Sequence, residues 1–151
     1  MKNKIRKVYK SKDFRLLAES KNYVLGHEFE YCYLYKKMTG HSIYLGDCYG
    51  DPSFGLIDKN ENWALVLAHP AYLWTPSHIF NLNEGQSSAA RQLNFPFTAR
   101  QIGNFEVEIL DDPWSDNPGI HNLNAQTGVI QRIRDFKRLE SPYDDNTEIE
   151  W

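Results

Sequence analysis

The feature that most constrains the fold is a continuous apolar run at residues 63–68, Trp-Ala-Leu-Val-Leu-Ala. Apolar and polar side chains do not alternate in this run, as is expected of a strand that is covered on both faces of its sheet. A polar loop at residues 59–62 precedes the run, and residues 54–58 predict a strand before that loop. We therefore expect residues 63–68 to form the best-covered strand of the core, with Trp63 buried.

A second segment alternates with a period of two, which is typical of a strand whose two faces differ. Its aromatic members share one face, and they are Phe29, Tyr31, Tyr33 and Tyr35. Thr39 and Gly40 then mark a turn, and residues 41–45 predict a return strand. The pattern indicates an antiparallel hairpin that gathers four aromatic rings on one face.

Further strands are predicted near the end of the chain. Phe105, Val107 and Ile109 alternate with two glutamates, which indicates one buried and one wet face. Residues 121–124 and 129–133 flank a turn and predict a hairpin.

Two short helices are also predicted. Ser11 is a suitable N-cap for a helix over residues 12–19, and Ser87 for one that continues to Leu93. A chain of 151 residues without repeats or breaks in composition fits a single domain, residues 1–151. We predict a mainly β fold (α+β possible), an antiparallel sheet curled or sandwiched on itself, with one or two short helices.

The formal net charge of -3 hides an asymmetry between the two ends of the chain. A basic N-terminal segment, residues 1–21, has eight Lys or Arg and two acids, and an acidic tail, residues 140–151, has five acids and no base. The basic segment makes a nucleic-acid-binding module one alternative. No arginines and aromatics are interleaved there, so we favour solvated ends and do not expect a nucleic-acid partner.

The sequence predicts a cytoplasmic protein. It has no apolar run of the roughly 20 residues that cross a bilayer, and no apolar core of a signal peptide follows the charged start. Its two cysteines, Cys32 and Cys48, are too few for a disulfide framework in a chain of this size. We expect both to be packed thiols and expect no membrane partner.

The sequence contains no recognisable catalytic or cofactor-binding motif. The histidines are far apart, and there is no paired metal-ligand motif or phosphate-binding glycine loop. Ser53 lies in a turn that superficially resembles a nucleophile elbow, but Asp51 occupies the position where the elbow needs glycine. We therefore predict no catalytic residue, metal or cofactor.

Clustered carboxylates leave one enzymatic alternative, a small carboxylate-dependent hydrolase of the glycoside type. Asp47 and Asp51 flank Tyr49, and a second group of acids surrounds Trp114. Acids mixed with Gly, Pro and Asn are the ordinary composition of turns, which is the interpretation we favour.

Residues 111–118 form a proline-rich loop that holds one tryptophan among three acids. Trp114 either covers the edge of its own core or is exposed; if exposed, it has the character of a binding hot spot whose acids steer a basic partner. The acidic tail likewise places an aromatic residue, Tyr143, beside two acids. The predicted partner-binding residues are Asp111, Asp112, Trp114, Asp116, Tyr143, Asp144 and Asp145.

Residues 50–66 resemble a segment of small immunity proteins from bacterial polymorphic toxin systems. The matching features are the Asp51-Pro52 turn, a strand, a polar hairpin loop and the apolar strand that begins at Trp63. The resemblance implies a cytoplasmic antidote that binds and blocks one cognate toxin domain, and it implies no particular contact residues. Toxins that attack nucleic acids tend to be basic because their substrates are polyanions, so an acidic aromatic surface would complement them.

Overall fold

The computed structural model describes residues 12–83, 93–140 and 148–151. All regular secondary structure in these residues is β-strand, and the strands form three antiparallel sheets of four. The strands are β1 (Phe14–Glu19), β2 (Tyr23–Glu28), β3 (Tyr31–Lys36), β4 (His41–Asp47), β5 (Phe54–Ile57), β6 (Ala64–Leu67), β7 (Tyr72–Trp74), β8 (Ile79–Asn81), β9 (Pro96–Gln101), β10 (Glu106–Asp111), β11 (Gly119–Asn124) and β12 (Ile130–Asp135).

Each sheet is a meander in which every strand pairs with the next one in the chain. Strands β1–β4 form the first sheet, β5–β8 the middle sheet and β9–β12 the third sheet. The mainly β prediction is confirmed at this level. The predicted hairpins at β3–β4 and β11–β12 are confirmed as well, with Leu34 opposite Ile43 and Leu123 opposite Ile130.

The middle sheet lies between the other two, and β6 explains why its sequence does not alternate. Trp63, Leu65 and Leu67 belong to a buried cluster shared with the third sheet. Ala64 and Val66 belong to a second cluster, shared with the first sheet. Both faces of β6 are therefore covered, as its apolar run predicts.

Trp63 is fully buried at the start of this strand. Its indole Nε1 donates a hydrogen bond to the carbonyl of Asn104, at 2.8 Å. The polar edge of the ring is thus satisfied inside the core, which is the usual requirement for a buried tryptophan. The predicted core position of Trp63 is confirmed.

A glycine sets the close approach of the first and middle sheets. A Cβ atom placed on Gly55 in β5 would lie 2.5 Å from Cβ of Leu17, far inside van der Waals contact. Any side chain at this position would push β1 away from β5, because packed interiors have little room for added atoms.

The loop between β5 and β6 links the middle sheet to both neighbours. The Asp58 carboxylate accepts hydrogen bonds from the Asn62 amide and from Gln101 Nε2 of the third sheet, at 3.0 and 2.7 Å. The Glu61 carboxylate accepts from Ser20 Oγ and from the backbone and side-chain amides of Asn22 in the first sheet. The hydrogen bond from Ser20 is the main cause of the lowered pKa of Glu61.

The helix predicted over residues 12–19 is wrong. Residues Phe14–Glu19 form β1, which pairs antiparallel with β2 through a bulge between Leu16 and Ala18. Pairing with β2 and packing against β5 outweigh the weak local preference for helix. The second predicted helix, which begins at Ser87, lies outside the described residues.

Two cysteines meet in the core of the first sheet. Cys32 and Cys48 are buried, and their sulfur atoms lie 3.8 Å apart. Burial is the largest cause of a raised pKa at both thiols, so neither is a ready nucleophile at neutral pH. Their predicted character as packed thiols is confirmed.

This packing predicts that neither thiol reacts with Ellman's reagent in the folded protein. We expect less than about 10% of the signal of the unfolded chain, because reaction needs an accessible thiolate. The measurement compares native protein with protein in concentrated guanidinium, where both thiols should react. Rapid reaction of one thiol under native conditions would show that this part of the first sheet opens readily.

Candidate protein interface

The predicted contact loop connects β10 to β11, and its first acid faces inward. Asp111 is buried, and its carboxylate accepts hydrogen bonds from the backbone amides of Asn94 and Phe95 at 2.8–3.1 Å. Burial raises the pKa of Asp111, although these two amides oppose the shift. This side chain fixes the start of β9 and does not face a partner.

Internal hydrogen bonds hold the rest of the loop in one conformation. Asp112 has a positive φ of 55°, and its carbonyl accepts hydrogen bonds from Ser115 N and Ser115 Oγ at 3.1 and 2.8 Å. Aspartate is among the residues that adopt this backbone conformation most readily. The carbonyl of Pro113 accepts from the Leu139 amide at 2.8 Å, which ties the loop to the segment after β12.

Trp114 is half-buried, so it both covers the edge of its own core and presents part of its ring to solvent. Its ring packs edge-on against Phe97, with centroids 4.7 Å apart, and part of it faces solvent. The Asp116 side chain is 95% exposed and forms an ion pair with Arg138 at 3.0 Å, of a kind that contributes little to stability. The structure thus brings Asp112, Trp114 and Asp116 to one surface. The predicted contacts Tyr143, Asp144 and Asp145 lie outside the described residues.

A buried histidine lies beside this loop. His121 is 5% exposed, and its Nε2 atom lies 3.7 Å from the Asp111 carboxylate, which is too far for a hydrogen bond. Burial, followed by the positive charge of Arg132, lowers the pKa of His121 to about 4. The imidazole is therefore neutral at physiological pH, and the two side chains do not form an ion pair.

This geometry predicts that the protein loses stability between pH 6.5 and pH 4. The unfolded chain binds a proton at His121 in that range, and the folded chain does not, so acid favours unfolding. We expect a loss of about 2–3 kcal/mol at pH 4.5 relative to pH 7, since one pKa unit corresponds to about 1.4 kcal/mol. The raised pKa of Asp111 acts in the opposite direction, because the folded chain binds a proton there more readily than the unfolded chain, and it reduces this loss.

Urea unfolding at both pH values measures the effect, with His121→Gln as the control. The variant should show a smaller loss than the natural protein, because glutamine does not titrate. Equal losses in the two proteins would assign the pH dependence to other groups.

An ion-pair network lies on the face of the third sheet that points away from the middle sheet. The buried Glu108 carboxylate contacts Arg100 and Arg134, and the hydrogen bond from Arg134 is the main cause of its lowered pKa. The Arg100 guanidinium in turn lies 5.0 Å from the ring centroid of Trp151. Glu108, Arg100 and Arg134 therefore have partners within the chain.

The corresponding outward face of the first sheet is buried where Phe14, Val24 and Tyr35 pack together, and beside that cluster it exposes other aromatic side chains. Cross-strand neighbours place Leu16, Tyr33 and Tyr44 in one row and Glu28, Tyr31 and Asp47 in the next. We call these six residues the tyrosine face. Leu16, Tyr31 and Tyr44 are 58%, 46% and 49% exposed, and the rings of Tyr33 and Tyr44 are in contact.

The tyrosine face is also negatively charged. Glu28 and Asp47 lie beside the rings, and neither forms an ion pair with any residue that the structure describes. The pKa of Tyr33 is raised, first by burial and then by the negative charge of Glu28, with a contribution from Asp47. Acids and exposed tyrosines thus occupy one surface.

Sequence alternation predicts that the tyrosines of β3 share a face, and this is confirmed. Phe29 departs from the prediction: it lies in the turn before β3, with φ 53°, and not in the strand. The turn ends the alternation, because residues in left-handed conformations cannot continue a strand. The sequence does not indicate which of these rings are exposed, since the same residues equally suit a core. Tyr31 is 46% exposed, whereas Tyr35 is buried against Phe14 and Val24.

Two features that would suggest other functions are absent from residues 12–83, 93–140 and 148–151. They contain no group of three or more His, Cys, Asp or Glu side chains arranged to hold a metal ion. They also contain no helix long and apolar enough to cross a membrane.

Comparison with known proteins gives a likeness in fold. No protein-family model matches the chain, and no curated protein matches it. Among solved structures, the chain is similar to the crystal structure of the WD40 beta propeller domain of Doa1, with a TM-score of 0.52 and 12% sequence identity. The similarity covers 82% of this chain and 39% of that chain, so this chain spans less than half of the structure that it matches.

The likeness identifies the three sheets as propeller-like. A closed propeller typically has about four to eight four-stranded sheets arranged around an axis, so each sheet has a neighbour on both faces. In the three sheets described here, only the middle one has two neighbouring sheets. No described sheet covers the tyrosine face.

Proposed function

We propose that this protein is a cytoplasmic immunity protein that binds a cognate toxin domain and neutralises it by occlusion. The observation that carries the proposal is the exposure of large side chains on the first sheet beside Glu28 and Asp47, which form no ion pair with any described residue. Exposed clusters of this kind mark protein-binding surfaces, and aromatic residues are enriched in them.

The sequence resemblance to immunity proteins supports the same proposal. The matching segment, residues 50–66, forms the turn before β5, the strand β5, the hairpin loop and most of β6. It lies at the centre of the stack of sheets, so it supports the fold and leaves the other sheets to present the contact surfaces. An inhibitor that acts by occlusion needs no catalytic groups of its own.

The acidic character of the exposed surfaces favours a basic toxin domain. Negative potential beside aromatic rings speeds the approach of a positively charged protein and disfavours acidic ones. The predicted contacts on the β10–β11 loop, Asp112, Trp114 and Asp116, have the same character and remain predictions.

Co-purification tests the proposed function. This chain would be expressed with the C-terminal domain encoded by the neighbouring upstream gene, and the pair would be purified in moderate salt. We expect a stable complex and survival of cells that the toxin domain kills when it is expressed alone. An unrelated toxin domain serves as the control and should not be neutralised. The absence of both a complex and protection would contradict the proposal.

A further inference from the structure

We propose that the toxin domain docks on the tyrosine face through a surface rich in lysine and arginine. This inference rests on the proposed function and specifies the site. The evidence is the geometry of the first sheet, where a row of Leu16, Tyr33 and Tyr44 lies beside a row in which Tyr31 is flanked by two acids.

Position in the stack distinguishes this face from the others. The faces of the middle sheet are buried in the two main apolar clusters. On the third sheet, three outward charges, those of Glu108, Arg100 and Arg134, are engaged with one another. Within residues 12–83, 93–140 and 148–151, Glu28 and Asp47 of the tyrosine face form no ion pair, so this face gains most from an external protein.

The chemistry of the face selects a basic occupant. Tyr31 lies between Glu28 and Asp47 across the strands, so a cation placed over its ring meets two carboxylates. Lysine and arginine side chains bind aromatic faces, and arginine also pairs with carboxylates through its planar fork. A second copy of this chain would bring its own Glu28 and Asp47 against the same acids, and like charges at close range oppose that pairing.

The β10–β11 loop is the less suitable of the two surfaces. Asp111 is turned inward, and Asp116 is already paired with Arg138. Trp114 uses part of its ring against Phe97. Glu28 and Asp47 have no ion pair with a described residue to give up, so their pairing with a basic partner costs less.

Tyrosine nitration with tetranitromethane, followed by mass spectrometry, locates the contact. The free full-length chain and the purified complex would be treated side by side. We expect Tyr31 and Tyr44 to be nitrated in the free chain and protected in the complex. Tyr49 is 81% exposed and lies outside the face, so it serves as the control and should be nitrated in both samples.

Substitutions measure how much the face contributes to affinity. The double variant Tyr31→Ala/Tyr44→Ala should bind the toxin domain about 100-fold more weakly, as expected for the removal of two aromatic anchors. Tyr49→Ala should bind within about threefold of the natural chain. The charge variant Glu28→Gln/Asp47→Asn should associate about tenfold more slowly and lose much of its dependence on salt. Unchanged urea unfolding of each variant would show that the fold is intact.

The outcomes separate this proposal from the proposed function. If the natural chain forms no complex, both fail. If a complex forms but Tyr31 and Tyr44 remain open to nitration, or the double variant binds normally, this proposal alone is overturned. Protection of both tyrosines in the free chain would also overturn it, because a second copy or another segment of the chain would then already occupy the face. Loss of binding in Trp114→Ala, with normal binding of the tyrosine variants, would place the contact on the loop.

Discussion

Replacing Trp63 by alanine is expected to lower the free energy of unfolding by about 3–5 kcal/mol, a large part of the total stability of a domain this size. The side chain is fully buried at the contact between the middle and third sheets. Its removal leaves a cavity and also leaves the carbonyl of Asn104 without its donor.

Urea unfolding followed by circular dichroism measures this loss, with Trp114→Ala as the matched control. Trp114 is half-buried, with its ring against Phe97, so its replacement should cost less than that of the fully buried Trp63. A Trp63→Ala protein with normal stability but no affinity for the toxin domain would reverse the assignment of core and interface.

The buried position of Trp63 was predictable because the apolar run that it begins is stable only as a strand covered on both faces. A six-residue apolar run without alternation needs cover on both faces, and the middle sheet provides it. Hairpins were predictable for a similar reason, since a turn residue between two alternating segments fixes their pairing. Local patterns therefore predict which residues form strands and that strands joined by a turn pair antiparallel.

The division into three sheets could not be predicted from such patterns. Each strand pairs only with its sequence neighbours, and nothing in β4 or β5 alone indicates that hydrogen bonding stops between them. The same limit explains the error at residues 12–19. Leu16, Leu17 and Ala18 suit either a helix face or a strand, and contacts with β2 and β5 decide between them.

The sequence predicts a contact surface that combines acids with aromatic rings, but it does not predict that such a surface lies on the first sheet. Asp111 looks like an exposed turn acid in the sequence, yet it binds the amides of Asn94 and Phe95, which are 17 and 16 residues away. Alternation likewise indicates that Tyr31 and Tyr33 share a face without indicating whether a sheet covers it. Whether a strand face is exposed depends on which sheets pack against it, and the sequence of one strand does not show this.

Asp58→Ala is the second substitution expected to have a large effect on stability. The buried carboxylate of Asp58 accepts one hydrogen bond from the Asn62 amide and another from Gln101 Nε2. Alanine leaves both donors without this acceptor; Gln101 is half-buried and Asn62 is exposed, so water can replace part of the lost bonding. A buried unsatisfied donor costs about 1–3 kcal/mol, so we expect a loss of about 2–3 kcal/mol in total. Gln101 keeps its second contact with the carbonyl of Gly103, which limits the loss at that donor.

Two further variants, measured by urea unfolding, separate the hydrogen bonds from the volume of the side chain. Asp58→Asn preserves the shape and one carbonyl oxygen, so it should lose less stability than alanine, because only one of the two donors must be left without an acceptor. Gln101→Ala removes the donor from the third sheet and should lose about 1–2 kcal/mol, because Asp58 retains its bond to Asn62. In the double variant Asp58→Ala/Gln101→Ala, the loss should be smaller than the sum of the two single losses, since both remove the same contact. Full additivity would mean that the link between the middle and third sheets does not depend on this hydrogen bond.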